Sequence, residues 1–180
     1  MAFWRDGSVE PKRKYRFRVQ LFEEVAWYTK SITAPSFEIS TVEHHFSDHV
    51  FNYPGKIKWN EISITLVDPA GDDDVVNKTL SLLSAAGYRI PIDGNTVGDY
   101  DTFSKVELIN NNGNIILDAL DPTGQVILEQ WELHNAILTS VKFGDFDYSS
   151  EDMREIEIGF KYDWASCTIN SSTNYFKDGQ

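Results

Sequence analysis

Apolar and polar residues alternate without a fault over residues 154–164. Ile156, Ile158, Phe160, Tyr162 and Trp164 share one parity, and Glu155, Glu157, Gly159, Lys161 and Asp163 the other. A period of two marks a half-buried strand whose charged face meets water, either outside the protein or inside a channel. The same pattern recurs near the start, where Tyr15, Phe17, Val19 and Leu21 alternate with Arg16, Arg18 and Gln20. Pro35 opens a second extended run over residues 37–46, holding Ile39 and Val42, and a long apolar loop over 47–55 carries Val50, Phe51, Tyr53 and Pro54. In residues 56–68 the apolar parity shifts from Ile57 and Trp59 to Ile62, Ile64 and Leu66, the signature of a bulge or of a strand that changes packing partners.

One helix is predicted over residues 72–86. Asp72, Asp73 and Asp74 suit its capping, positive end; Val75, Val76, Leu80 and Leu83 form its stripe, and Gly87 its stop. Residues 88–101, with Pro91, Gly94 and Gly98, read as a long surface loop. Asn111-Asn112-Gly113-Asn114 and Asp121-Pro122-Thr123-Gly124 read as turns joining strands, which predicts a hairpin series. The polar tail 170–180 is expected to fray unless something holds it.

A length of 180 residues with 41% apolar and 24% charged composition fits one soluble globular domain, with an N-terminal arm over 1–13 and a tail over 168–180. A single cysteine, Cys167, precludes an internal disulfide, and neither a leader-like h-region nor an apolar run of membrane length occurs. The chain is therefore expected to be cytoplasmic when made, without a membrane segment. Its net charge of −12 is uneven: residues 1–18 hold six basic groups against two acids, a balance of +4, and the remainder carries −16. Such a split suits head-to-tail contact between copies, although a solvated basic strand edge explains it as well.

Catalytic chemistry finds little support. His44, His45 and His49 cluster, but only His45 and His49 are expected to converge, and only if the loop bends back. Asp145, Asp147, Ser149 and Glu151 begin like a calcium loop, yet Ser150 replaces the glycine and Ile156 the closing glutamate. No nucleophile elbow, phosphate loop or dinucleotide turn is present. Cys167 reads as a small buried or edge thiol. Lys12, Arg13 and Lys14 beside Tyr15 and Phe17 suggest nucleic-acid contact, but a pI near 4.6 opposes it. No cofactor, metal or enzymatic activity is expected.

The order of elements resembles the tail tube protein of contractile-tailed bacteriophages, a family that includes baseplate tube proteins and, more distantly, type VI secretion tubes. The resemblance is carried by Asp121-Pro122-Thr123-Gly124-Gln125-Val126, Trp131-Glu132-Leu133, residues 139–142, the aspartate-rich loop, and the closing Tyr162-Asp163-Trp164, and it spans roughly residues 14–164. It implies a mainly β (α+β) chain: an antiparallel β-sandwich or partial barrel with one flanking helix, whose strands join those of neighbours into a hexameric ring β-barrel. Stacked rings would form the channel for DNA ejection in the virion tail, assembled in the host cytoplasm. The implied partners are the chain itself, tail sheath, baseplate and tail terminator proteins, and DNA passing without specific binding.

On this reading Phe3, Trp4, Lys12, Arg13, Lys14, Val50, Phe51 and Tyr53 are expected at contacts between subunits, and Glu155, Glu157 and Asp163 on the lumen. An acidic lumen would repel phosphate. A tube initiator, a protein-carrying injection tube, or a monomeric β-barrel whose Trp27, Tyr28, Trp59 and Trp131 line a ligand cleft are the alternatives.

Overall fold

The computed structural model describes residues 10–95, 100–170 and 172–176. Twelve strands and two helices are found among them. A six-stranded antiparallel sheet runs in the order β12 (Thr173–Tyr175), β11 (Trp164–Ile169), β8 (Ile127–His134), β7 (Ile115–Leu120), β1 (Phe17–Leu21), β2 (Glu24–Val25). A four-stranded one runs β3 (Thr29–Ile32), β6 (Ile62–Val67), β10 (Glu155–Lys161), β9 (Ile137–Lys142). The remaining pair, β4 (Phe37–Phe46) and β5 (His49–Trp59), forms a separate hairpin.

The core is a sandwich dictated by strand parity. Val19, Leu21, Ile115, Leu117 and Leu133 come from the larger sheet, and Ile62, Ile64, Leu66, Ile156, Ile158 and Phe160 from the smaller, all in one buried cluster. The expected alternation holds within β10, where Ile156, Ile158 and Phe160 are buried, but the run is not one strand to Trp164: β10 ends at Lys161, buried Tyr162 follows it, and Trp164 opens β11 of the larger sheet. Gly159 sits on the opposite face, between the side chains of Ser140 and Glu61, where an added Cβ would collide with Ser140 Oγ. Cys167 is buried in β11, and burial pushes its thiol up.

Two helices are present where one was expected. Helix α1 (Val75–Ala85) begins at Asp74, whose carboxylate accepts from Asn77 N–H at 2.7 Å, and Asp68 accepts from Val75 N–H at 3.2 Å. Gly87, at φ 97°, follows it as the sequence indicated. The inward stripe is Val75, Thr79 and Leu82, whereas Leu80 points to solvent at 50% exposure. Helix α2 (Lys105–Asn112) occupies a stretch expected to be strand and turn, so Asn111 and Asn112 are its last residues, not turn residues. Gly113 ends it at φ 68°, where its missing side chain also leaves room for Glu23. A glycine after an amide-rich run stops a helix as readily as it turns a hairpin. α2 packs on α1 and on β9, and Asn112 donates to the carbonyl of Ala136 at 3.3 Å.

The second correction concerns residues 47–55. They form no loop: only Ser47 and Asp48 turn, and His49 onward is the return strand β5. At the C-terminus, β12 pairs with β11 through Cys167↔Tyr175 and Ile169↔Thr173, so the tail is held as far as that edge strand.

Phe160 is fully buried at the centre of the sandwich, and replacement by alanine deletes a large side chain from a packed site. Phe160→Ala is expected to destabilise the chain by about 3–5 kcal/mol. Urea unfolding followed by tryptophan fluorescence measures this directly.

Candidate functional site

The β4–β5 hairpin continues the smaller sheet beyond the sandwich. Thr33 N–H bonds the carbonyl of Ser63 and Asn60 N–H that of Ser36, so the β3–β6 ladder passes into β4–β5 across a short break. Past that junction the hairpin is an arm, exposed at every position but Trp59. The parity shift read from the sequence at Ile57 and Trp59 against Ile62 falls at this break.

A second irregularity lies within the arm, between Ile39 and Thr41. Ser40 Oγ accepts from Lys56 N–H at 2.9 Å, and Gly55 fits beside it because an added Cβ would strike Ser40. The bulge reverses the apolar face. Below it Phe37↔Trp59 and Ile39↔Ile57 share one side, with Trp59 leaning on Tyr162 at 5.8 Å and Phe37 at 5.2 Å. Beyond it Val42↔Tyr53, His44↔Phe51 and Phe46↔His49 occupy the other side. Val42, Phe46, Phe51 and Tyr53 are between 49% and 69% exposed, and no part of the described chain covers them. Of the expected contact residues, Phe51 and Tyr53 share this face, while Val50, paired with His45, lies on its back. His44 and His49 are thus the pair on one side, and His45 is separated from His49, contrary to the sequence expectation.

Lys12, Arg13 and Lys14 precede β1 at the mouth of a cavity of about 670 Å³. Phe17, Ile32, Leu117 and Trp131 wall it, on the side of the sandwich bounded by edge strand β3. Lys12 is held by Glu129, which the pairing keeps below the usual carboxylate range, and Glu129 also accepts from Trp131. Phe3 and Trp4 lie outside the described residues. The four aromatic residues considered for a ligand cleft do not gather into one: Trp131 lines this cavity, Trp59 supports the arm, and Trp27, which donates to Asp73 at 3.0 Å, packs edge-on against the buried Tyr28 at 5.6 Å.

Glu155 and Glu157 occupy the wet face of the smaller sheet. Each is paired there: Glu155 with Lys30, and Glu157 with Lys142 at 2.7 Å and Ser63 at 2.9 Å. Lys161 faces Glu61 at 3.8 Å on the same surface, which is therefore charge-balanced. Asp163 belongs elsewhere. It follows the end of β10 and is taken up by Lys105 of α2 at 2.7 Å and Asn135 at 2.8 Å, which lower its pKa. The outer face of the larger sheet carries a polar row the sequence reading missed: Asp118, fully buried, accepts from Arg18 Nη2 at 2.6 Å and Gln130 Nε2 at 2.8 Å across adjacent strands. Asp118 sits at an outward parity position between apolar residues, and that was the available signal.

The aspartate-rich loop 144–153 holds itself. Asp147 accepts from Ser149 N–H at 2.9 Å, a bond that lowers its pKa, and Asp152 accepts from Ser150 Oγ at 3.0 Å. Phe146 lies 4.6 Å from the Arg154 guanidinium yet is 84% exposed, and Tyr148 is fully exposed.

No family model matches the chain, and no curated protein matches it. Solved structures do. The chain is similar to a subunit of the sheath–tube complex of an extracellular contractile injection system (TM-score 0.66, 19% identity, 94% of this chain and 99% of the other). It is equally similar to the sheath/tube terminator of the same kind of system (0.66, 20%, 89% and 98%) and to the tube-terminating cap of the anti-feeding prophage (0.66, 18%, 89% and 93%). At such identities the likeness is one of fold: a mainly antiparallel β fold of the kind found in contractile-injection tubes.

Two outcomes follow from this surface. Phe51→Asp adds a charge to an exposed face, so chemical denaturation should show a change in the stability of the folded monomer of less than about 0.5 kcal/mol. Glu157, held below its ordinary value of 4.5 by Lys142 and Ser63, contributes stability above that value and loses it as pH falls below it. Glu157→Gln should therefore lower the melting temperature at pH 7, and the gap to the parent chain should close as pH drops below 4.5 in a thermal series.

Proposed function

We propose that this chain is a structural, non-catalytic subunit that joins copies of itself into hexameric rings, and that the rings stack as the tube of a contractile tail or injection machine. The observation that carries this is the arm. A two-stranded hairpin is marginal in isolation, and beyond its bulge this one presents an apolar face of Val42, Phe46, Phe51 and Tyr53 that the described residues leave bare. A neighbouring copy supplies the missing cover, and the likeness in fold to tube subunits supports that assignment.

On this reading the smaller sheet and its arm form the tube wall, with the face of Glu155 and Glu157 turned to the channel. Ring closure removes the open strand edge at β3, which otherwise invites uncontrolled pairing. The channel passes DNA in a phage tail; its balanced ion pairs leave phosphate without a free cation to bind. Sheath, baseplate and terminator proteins are the partners such a tube requires. A second reading, a terminal ring that ends the tube, is favoured by the likeness to a sheath/tube terminator and a tube-terminating cap.

Electron microscopy of the purified chain tests both. Tubes of stacked rings support the first reading, single rings or short stacks the second, and a monodisperse monomer at all concentrations sinks the assembly reading altogether. In assembled material, changing Glu155 and Glu157 to lysine should leave rings intact but frees Lys30 and Lys142 on the channel face. Retention of DNA fragments by the variant tubes, with a steep decline as salt rises, is the expected result.

A further inference from the structure

The chain carries two surfaces that want opposite partners. The first is the cavity beside β3. Its apolar wall is formed by side chains of the sandwich interior, and its volume of about 670 Å³ is that of a ligand pocket, roughly 300–1,000 Å³. At its mouth, Lys12, Arg16 and Lys30 are engaged by Glu129, Glu10 and Glu155, but Arg13 and Lys14 have no carboxylate partner among the described residues. The acid on the cavity wall is satisfied too, Glu129 by Lys12. Open apolar wall and unpaired cations therefore face outward together.

The second surface is the β9–β10 loop. Residues 144–153 contain four acids and no basic residue, and they expose Phe146, Tyr148 and Met153 at 73% or more. Asp145 and Glu151 make no hydrogen bond or ion pair among the described residues. Bonds at Asp147 and Asp152, and Gly144 at φ 73° packed against the Glu155 carbonyl, fix the loop's form, so little entropy is lost on docking. No residue of the loop lines the cavity of its own chain, and the two surfaces belong to different edges of the smaller sheet, β9 and β3.

We infer that loop 144–153 of one copy seats in the β3-side cavity of a second copy, with Phe146 and Tyr148 on the wall of Phe17, Ile32, Leu117 and Trp131, and its carboxylates on Arg13 and Lys14. This deepens the proposed self-assembly and rests on it, by naming both halves of one contact. The contact is heterologous, so repetition gives a ring or a helical stack instead of a closed dimer. Aromatic anchors in an apolar pocket dominate such energetics, and the charges set orientation and rate.

Cross-linking between different chains tests it. Ser150→Cys is placed in one preparation and Ser31→Cys in another, with the buried Cys167 as the native thiol and Thr123→Cys replacing Ser150→Cys as control. Mixed under mild oxidant, the first pair should give a disulfide-linked dimer on non-reducing gels, at several times the yield of the control pair. Equal yields overturn the contact. In parallel, Tyr148→Asp should raise the protein concentration needed for assembly at least tenfold, by about 1.4 kcal/mol per contact, and Arg13→Glu with Lys14→Glu should be partly rescued by Asp145→Lys. Assemblies that form normally in the Tyr148→Asp variant sink this contact while leaving the ring-and-tube reading intact; no assembly by the parent chain overturns both.

Discussion

An arm that cannot bury itself governs this molecule. The sandwich buries Ile64, Leu66, Ile156 and Phe160 completely, yet the same two strand lines run on past Ile32 and Ile62 into a hairpin with no second layer. Hydrogen bonding within the pair satisfies one edge of each strand only, and the apolar surface of Val42, Phe46, Phe51 and Tyr53 gains nothing from the fold that presents it. Free energy of folding is generated in the body and spent on holding the arm in position. Such an arrangement persists where the apolar area is recovered by association.

The sheet edges tell the same story. The larger sheet ends in β2, two residues long, and β12, three residues long, both too short to template another chain. In the smaller sheet β9 has α2 packed against it, whereas β3 leads into the arm and borders the cavity. Protection is thus unequal: what is left unguarded is concentrated on the side of β3.

Strand β10 was legible because both of its faces are committed, apolar without exception on one and polar on the other, and only a half-buried strand fits that period. The cap of α1 was legible because Asp74 has one useful thing to do there. The arm was not. Pro54 and Gly55 close the stretch 47–55 that reads as a loop, but Pro54 is tolerated because it borders the bulge and an arm strand has one unpaired edge, and Gly55 is required for close approach to Ser40. Helix α2 was hidden for a related reason: eight residues with Val106 and Ile109 carry too little helical signal, and packing on α1 and β9 decides the outcome. The contact residues divided similarly. A segment read as a loop carries no strand parity, so Val50 could not be separated from Phe51 and Tyr53, which share the other face of the arm.

Charge shows most clearly what a strand pattern can and cannot convey. Alternation established that Glu155 and Glu157 are wet, but wetness is not potential, since Lys30, Lys142 and Lys161 arrive on the same face from three strands. Only the register of β3, β9 and β10 brings these lysines to their carboxylates. The excess negative charge of the chain is consequently not spread over this sheet, and part of it is gathered in loop 144–153, while Arg13 and Lys14 have no carboxylate partner among the described residues. Separated charges of this kind create an oriented field, and like surfaces of two copies repel while unlike surfaces attract. A polymer built through them has one permitted direction of growth, which is the property that a tube assembled from one end requires.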